Sequence, residues 1–299
     1  PWGRLPLGQA LVFDDPRIPG MALAFPVDDD SPSLGLYASG FKVPRVITAH
    51  FVPYHSLEMF FGSAQPKLLT DAVWKYETWL LNRFDRVVCQ TRAGARMFQK
   101  RGLKSRVEII ANGINLKKYA AVKPERFRKK YGFRKPFALF VGRLDASKRP
   151  EWILSAARKL PRVEFIMSGS GVLEEALKKK SPQNVKWLPK LPRDDLLDCY
   201  AAAEALLMPS AVETEGLVAQ EAMACGTPAL ISNLDVLAEV VGKGGAVCRS
   251  AGEMASKLEH LLDDPRAQQQ MREDARAEMK KRDIRVSIQK LVKLYHSLA

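Results

Sequence analysis

Glu213 and Glu221 stand in the segment Pro209-Ser210-Ala211-Val212-Glu213-Thr214-Glu215-Gly216-Leu217-Val218-Ala219-Gln220-Glu221-Ala222-Met223-Ala224-Cys225-Gly226. It reads as a loop, a helix and a glycine stop, directly after an apolar run. Gly216 falls where the helix should begin. The first amides of a helix lack internal partners, and the dipole there is positive. Such an end binds phosphate, and glycine lets the phosphate approach the backbone. Glu221 lies five residues into the helix, about 7.5 Å along its axis. Helical side chains lean toward the amino end, so Glu221 reaches toward a group held at the mouth. A carboxylate accepts from a vicinal diol such as a ribose. Glu213, on the other side, suits the hydroxyls of a second sugar. Gly142-Arg143-Leu144-Asp145-Ala146-Ser147-Lys148 follows another apolar run. Arg143 offers a planar fork and Lys148 a point charge, both suited to a diphosphate. Each feature alone is common. Together they fit a nucleotide-diphosphate sugar.

Such residues need strands whose carboxyl ends converge, where open parallel sheets collect ligands. Residues 137–141 are an apolar run ending in Gly142, and 151–160 read as a helix with Pro150 near its start. Further strands are expected at 163–167, 185–188, 205–208 and 229–231. Helices are expected around 172–180, 193–203, 216–225 and 234–241. This alternation implies parallel pairing with right-handed crossovers, a doubly wound α/β domain over 121–281. Before it, 45–48, 86–89 and 107–110 look like strands. Residues 68–84 look like a long helix whose Trp74, Tyr76 and Trp79 are expected in the core. The Pro- and Gly-rich stretch 1–41 has no clear assignment. Three or four strands are too few for a complete doubly wound domain, so the amino-terminal domain, 1–120, is expected to be incomplete. Residues 115–135 read as a basic linker, with nine Lys or Arg and one acid. Residues 266–281 and 284–298 read as helical, and the segment 282–299 is expected to pack back on the first domain.

With these residues in place, the sequence resembles the family 4 retaining glycosyltransferases. Their α/β fold, GT-B, has two Rossmann-like domains facing across a cleft. The likeness covers 46–299. Its most specific part is E-x(7)-E, Glu213 to Glu221, followed by Ala222-Met223-Ala224-Cys225-Gly226-Thr227-Pro228. Val141-Gly142-Arg143-Leu144 with Lys148, then Ser168-Gly169-Ser170-Gly171, agree in order and spacing. Ala111-Asn112-Gly113-Ile114 resembles the segment before the interdomain linker, and Thr48-Ala49-His50 the amino-domain strand that ends in His. The resemblance implies that Arg143 and Lys148 bind the donor diphosphate and support the leaving group. It implies that the backbone of Gly216 and Leu217 binds phosphate, Glu221 holds the ribose and Glu213 the transferred sugar. His50 would reach that sugar from the opposite domain. It further implies hexose transfer with retention, from a UDP- or GDP-linked donor to a lipid or saccharide acceptor. No divalent metal and no cofactor besides the donor are expected, and the donor phosphate helps deprotonate the acceptor. Thr214-Glu215 and Asn115 depart from the pattern, which has Gly-Phe or Pro-Phe and Asp there. The family's first strand and Gly-rich loop are not visible.

The formal net charge is +14, which favours anionic partners. No nucleic-acid-reading motif is present, so none is expected as a partner. An anionic membrane surface fits, reached peripherally, because no run of about 18 apolar residues could span a bilayer. The opening Pro1-Trp2-Gly3-Arg4 has no leader pattern, and a cytoplasmic location is expected. Cys89, Cys199, Cys225 and Cys248 lack metal-site spacing and read as buried free thiols. His55 could line the acceptor side, whereas His260 and His296 read as ordinary helix positions. Three rival readings are a nucleotide-sugar binder without transfer activity, a metal site at Asp28-Asp29-Asp30 after the apolar run 21–25, and a basic nucleic-acid binder. The acidic triplet reads better as a surface turn between Pro26 and Pro32. Oligomeric state has no signal in the sequence.

Overall fold

Short apolar runs become the strands of two sheets, one in each of two compact units. The computed structural model describes residues 11–12, 23–27, 44–49 and 67–298. One unit comprises the described residues up to Gly113 together with those from Arg285 onward; the other is Ile114–Ile284.

The first unit contains β1 (Leu11–Val12), β2 (Leu23–Val27), β3 (Arg45–Ala49), α1 (Lys67–Leu81), β4 (Arg86–Cys89), α2 (Arg92–Gln99) and β5 (Arg106–Ile109). Its sheet has the order β1-β2-β3-β4-β5, parallel except for the β1–β2 pair. That is five strands, against the three or four expected. The two extra ones fall in the stretch with no clear assignment. β1 has only two residues and β2 carries Pro26, so neither shows a period. α2 begins where the sequence supplies a cap: Thr91 Oγ1 accepts from Gly94 N at 2.9 Å. α1 corrects the expectation that its three aromatic residues are core. Trp74 is buried, but Tyr76 and Trp79 are 39% and 45% exposed. The buried face of the helix holds Trp74, Glu77, Thr78 and Leu81, and a helical period turns residues 76 and 79 away from it. The Arg83 guanidinium lies over the Trp79 ring, 4.2 Å from its centroid.

The second unit runs α3 (Leu116–Ala120), α4 (Pro124–Tyr131), β6 (Phe137–Val141), α5 (Glu151–Lys159), β7 (Glu164–Ser168), α6 (Glu174–Lys179), β8 (Val185–Leu188), α7 (Arg193–Ala202), β9 (Ala205–Met208), α8 (Leu217–Ala224), β10 (Ala229–Ser232), α9 (Asp235–Val241), β11 (Gly245–Cys248), α10 (Ala251–Asp263) and α11 (Pro265–Lys280). A final helix, α12 (Ile284–His296), sets Leu294 and Tyr295 against Val46, Val88 and Ile110 of the first unit. The chain enters and leaves the second unit side by side: Ile114 N donates to Arg282 O at 2.8 Å, and Ile284 N to Ile114 O at 3.0 Å.

The second sheet is wholly parallel, in the order β11-β10-β9-β6-β7-β8. Strands buried on both faces need apolar side chains at every position, and the central β6 and β9 have them. Phe137, Leu139, Leu206, Met208 and Ile231 pack into one apolar cluster, while Ala138, Phe140, Leu207 and Leu230 pack into another. Successive residues of a strand point to opposite faces, which separates the two layers. The strand order reverses between the neighbours β6 and β9. That is the switch point at which open α/β sheets hold ligands beyond the strand ends.

Residues 115–135 are not a linker. They form α3 and α4, anchored by the buried Tyr119 and Phe127. Phe127 stacks on Tyr131 and Phe133 at centroid distances of 4.7 and 5.7 Å. Three cations of this stretch face acids of α7 or of the turn that follows it. Arg126 pairs with Asp198 at 2.5 Å, Lys130 with Asp195 at 2.7 Å, and Arg128 with Glu204 at 3.3 Å. All four cysteines are buried and free. Burial pushes the Cys89 and Cys225 thiols up to about 12, so neither is reactive at neutral pH.

Candidate active site

The loop after β6 is held by the glycines after β7. Gly142 N donates to Ser168 O at 3.1 Å, Leu144 N to Ser170 O at 2.9 Å, and Leu173 N to Leu144 O at 2.9 Å. A Cβ on Gly169 would lie 1.9 Å from Gly142 O, and one on Gly171 would lie 2.6 Å from Leu144 O. Glycine is therefore required for the two backbones to touch.

Asp145 then organises the loop from within. It caps the short 3-10 turn Ala146–Lys148, accepting from Lys148 N at 3.2 Å and from Ser147 Oγ at 2.6 Å. Its second oxygen accepts from Arg143 Nε at 2.6 Å. Burial raises the Asp145 pKa, but the bonds from Ser147 and Arg143 outweigh it and hold the carboxyl below its ordinary value. Arg143 is thus aimed by Asp145 while its side chain stays about half exposed, at 54%.

The loop after β9 is stitched to the first. Ala211 N donates to Ser147 O at 2.7 Å. Lys148 Nζ meets Glu213 Oε1 at 2.5 Å, and Ser210 Oγ donates to the same oxygen at 2.9 Å. The Lys148 and Glu213 side chains are only 18% and 11% exposed. The pair lies in the loops after β6 and β9, at the sheet's switch point, and the ammonium has three donors, one of which goes to Glu213.

Gly216 adopts a left-handed conformation (φ 72°, ψ 54°) and opens α8. A Cβ there would lie 2.4 Å from Leu237 Cδ2. Among the described residues no side-chain capping bond is made at the start of α8, and the first amides of a helix, here from Leu217 on, have no partner within it. The departure at 214–215 has a structural answer. Glu215 is buried, with Arg282 Nη1 3.7 Å from its Oε1, and Gln220 Nε2 donates to its carbonyl at 3.3 Å. A charged pair occupies the place the resemblance gives to an aromatic ring. Asn115 stands at the start of α3 without a side-chain capping bond.

Glu221, on α8, has a group of donors that the sequence reading did not foresee. Arg193 Nη1 reaches Oε1 at 2.7 Å, Tyr119 donates to Oε1 at 3.3 Å, and Tyr200 donates to Oε2 at 3.1 Å. Burial pushes the Tyr119 phenol up to about 12 and the Tyr200 phenol well above its ordinary value, with the Glu221 charge adding to both. Both therefore stay protonated and act as donors.

The structure thus places Arg143, Lys148, Glu213, Gly216, Leu217 and Glu221 in one unit. All lie in the loops and helix that follow β6 and β9, and Lys148 and Glu213 are in contact. His50, His55 and Asp28 to Asp30 lie outside the described residues. Among the described residues there is no cluster of three or more His, Cys, Asp or Glu able to hold a metal. Nor is any helix of theirs long and apolar enough to cross a membrane. Asp145 and Ser147 had a local signal, the D-x-S cap pattern. Tyr119, Arg193, Tyr200 and Arg282 had none, since 21 to 102 residues separate each from its carboxylate partner.

The model of the glycosyl transferases group 1 family matches residues 123–278, and that of glycosyltransferase family 4 matches residues 30–118. The chain belongs to the group 1 glycosyl transferases. A related curated protein is the D-inositol 3-phosphate glycosyltransferase of Mycolicibacterium smegmatis, 28% identical over 74% of this chain and 55% of the relative. The chain thus spans about half the length of the curated relatives it matches. Two solved structures share the fold. Sucrose-phosphate synthase from Thermosynechococcus elongatus aligns with TM-score 0.76 and 21% identity over 88% of this chain and 70% of that one. Anabaena Alr3699/HepE in complex with UDP and glucose aligns with TM-score 0.73 and 22% identity over 85% and 72%. The fold is of the GT-B type, α/β with two Rossmann-like units. In this family member, the loops after β6 and β9 and helix α8 carry Arg143, Lys148, Glu213 and Glu221.

Proposed function

We propose that this family member transfers a hexose from a UDP- or GDP-linked donor to a lipid or saccharide acceptor, with retention of configuration and without a divalent metal. The reading rests on one observation: Lys148, Glu213 and the uncapped mouth of α8 stand together where β6 and β9 adjoin. Arg143 and Lys148 take the diphosphate, and the amides at Gly216 and Leu217 take its remaining oxygens. Lys148 keeps Glu213 while it donates to phosphate, so Glu213 stays placed to accept from hydroxyls of the transferred sugar. Glu221 takes the ribose, and the family resemblance assigns His50 to the transferred sugar. These donors are already fixed, so little reorganisation is needed as charge develops on the departing diphosphate. The donor phosphate then accepts the acceptor's proton. The structure of HepE, which shares the fold, is of a complex with UDP and glucose, and this supports a nucleoside diphosphate as ligand. The excess of cations supports work at the cytoplasmic, anionic face of a membrane.

A thermal-shift panel of UDP- and GDP-sugars tests this on the wild type, Glu221→Ala and Arg143→Ala. At about 100 times its Kd a donor adds about 2.7 kcal/mol to stability. One donor class should raise the wild-type Tm and leave both variants unmoved. No response to any donor, or an undiminished response in both variants, would overturn the reading.

A further inference from the structure

We propose that Arg193 is a second ribose-binding residue, donating to one hydroxyl of the nucleotide's vicinal diol while Glu221 accepts from the other. The assignment rests on the function just proposed and extends it to a residue for which the motif gives no role.

An ionised carboxylate has about four acceptor positions. Among the described residues, three of those on Glu221 are taken. Oε1 receives Arg193 Nη1 and the Tyr119 hydroxyl, and Oε2 receives the Tyr200 hydroxyl. One position stays open, on Oε2. A vicinal diol carries two hydroxyls, and a carboxylate with one open position takes the proton of only one of them.

Arg193 supplies what the second hydroxyl lacks. A guanidinium has five N–H donors in one plane. Here Nη1 serves Glu221 at 2.7 Å and Nη2 serves the Tyr119 oxygen at 2.6 Å. The side chain remains 50% exposed beside the carboxylate, and these two bonds use only two of its five N–H donors. Tyr119 fixes the arrangement: its oxygen accepts from Arg193 while its O–H donates to Glu221, with its ring centroid 5.6 Å from the guanidinium carbon. Arg193 begins α7, five residues beyond the end of β8. The parallel sheet puts that end on the same edge as the loops after β6 and β9. A donor and an acceptor side by side complement a diol better than a carboxylate alone, because each hydroxyl then has its own partner.

The test is calorimetric titration of UDP and GDP, and of their 2′-deoxy and 3′-deoxy forms, into the wild type, Arg193→Met and Arg193→Lys. Circular dichroism melts accompany each variant. Whichever ribonucleotide binds the wild type should bind Arg193→Met about tenfold more weakly, near 1.4 kcal/mol. One deoxy form, lacking the hydroxyl that Arg193 serves, should bind the wild type and Arg193→Met alike. Arg193→Lys, which keeps the charge but loses the planar fork, should show a smaller loss confined to the same hydroxyl. Three results overturn the assignment: equal weakening of the ribo and both deoxy forms, which marks a merely structural role; unchanged affinity; or tighter binding, which marks Arg193 as a competitor of the diol. If the wild type binds neither UDP nor GDP, the function reading itself falls, and the Arg193 assignment falls with it.

Discussion

Lys148 and Glu213 after β6 and β9 meet at 2.5 Å, and Lys130 and Asp195 between α4 and α7 meet at 2.7 Å. The residue types and distances are nearly the same. The surroundings differ. Lys148 is 18% exposed and adjoins a helix start that no described side chain caps; Lys130 is 55% exposed on the flank of a helix pair. The stretch around Lys130 is the more basic in sequence, with nine cations between residues 115 and 135, yet at least three of them are matched by acids of the same unit. Cation density alone is therefore a poor guide, and the proposed site rests instead on the backbone donors at the start of α8 beside sheltered side chains that have donors to spare.

The largest expected effect comes from the backbone that shapes the first region. Gly169→Ala places a methyl 1.9 Å from Gly142 O, against main chain that has no rotamer to yield. A loss of about 3 kcal/mol in urea unfolding is expected, with loss of nucleotide binding, because the loop carrying Arg143 must move. Stability within about 0.5 kcal/mol of wild type would show that the loops are not pressed together as described.

Lys148→Met comes next. It leaves Glu213, 11% exposed, with Ser210 as the neighbour that donates to it. Removing one partner of a buried pair costs about 3–5 kcal/mol, and the residual exposure of this pair brings the expectation to about 2 kcal/mol. Calorimetry should also show loss of nucleoside-diphosphate affinity. Intact binding in the variant would move the diphosphate away from Lys148.

Lys130→Met should do least, and should leave nucleotide affinity unchanged. Its signature is in the pH dependence of stability. The hydrogen bond from Lys130, then that from Tyr131, holds the Asp195 pKa below its ordinary 3.8. A depressed carboxyl contributes stability above its unfolded pKa and loses it as pH falls through the folded value. Wild type should therefore be the more stable in urea at about pH 6, and the gap to Lys130→Met should close toward about pH 3. A gap that widens on acidification would mean that Asp195 is not held by Lys130.

Much of the second unit was legible because it is local. A parallel strand buried on both faces needs a short unbroken apolar run, and 137–141, 205–208 and 229–231 have one. Gly216 and the E-x(7)-E spacing announced a helix mouth flanked by acids. β11 escaped notice because Gly245-Ala246-Val247-Cys248 is short and begins with glycine. The first unit gave less: its early strands are brief or carry proline, and the Trp74, Tyr76 and Trp79 stripe read as uniformly buried when the helical period splits it.

By itself the sequence determined the alternation of strands and helices, the glycines that permit close approach, and the identities of the acids and cations after two strands. Periodicity and backbone stereochemistry act over a few residues, and that is the range on which these features depend. Tertiary structure alone decided that β6 lies beside β9, which sets Lys148 against Glu213 across 65 residues of chain. It also decided that Tyr119, Arg193 and Tyr200 gather on Glu221, and that the basic stretch neutralises α7. Those contacts follow from how sheet and helices stack to bury apolar surface, and no local pattern records which distant side chains that stacking will bring together.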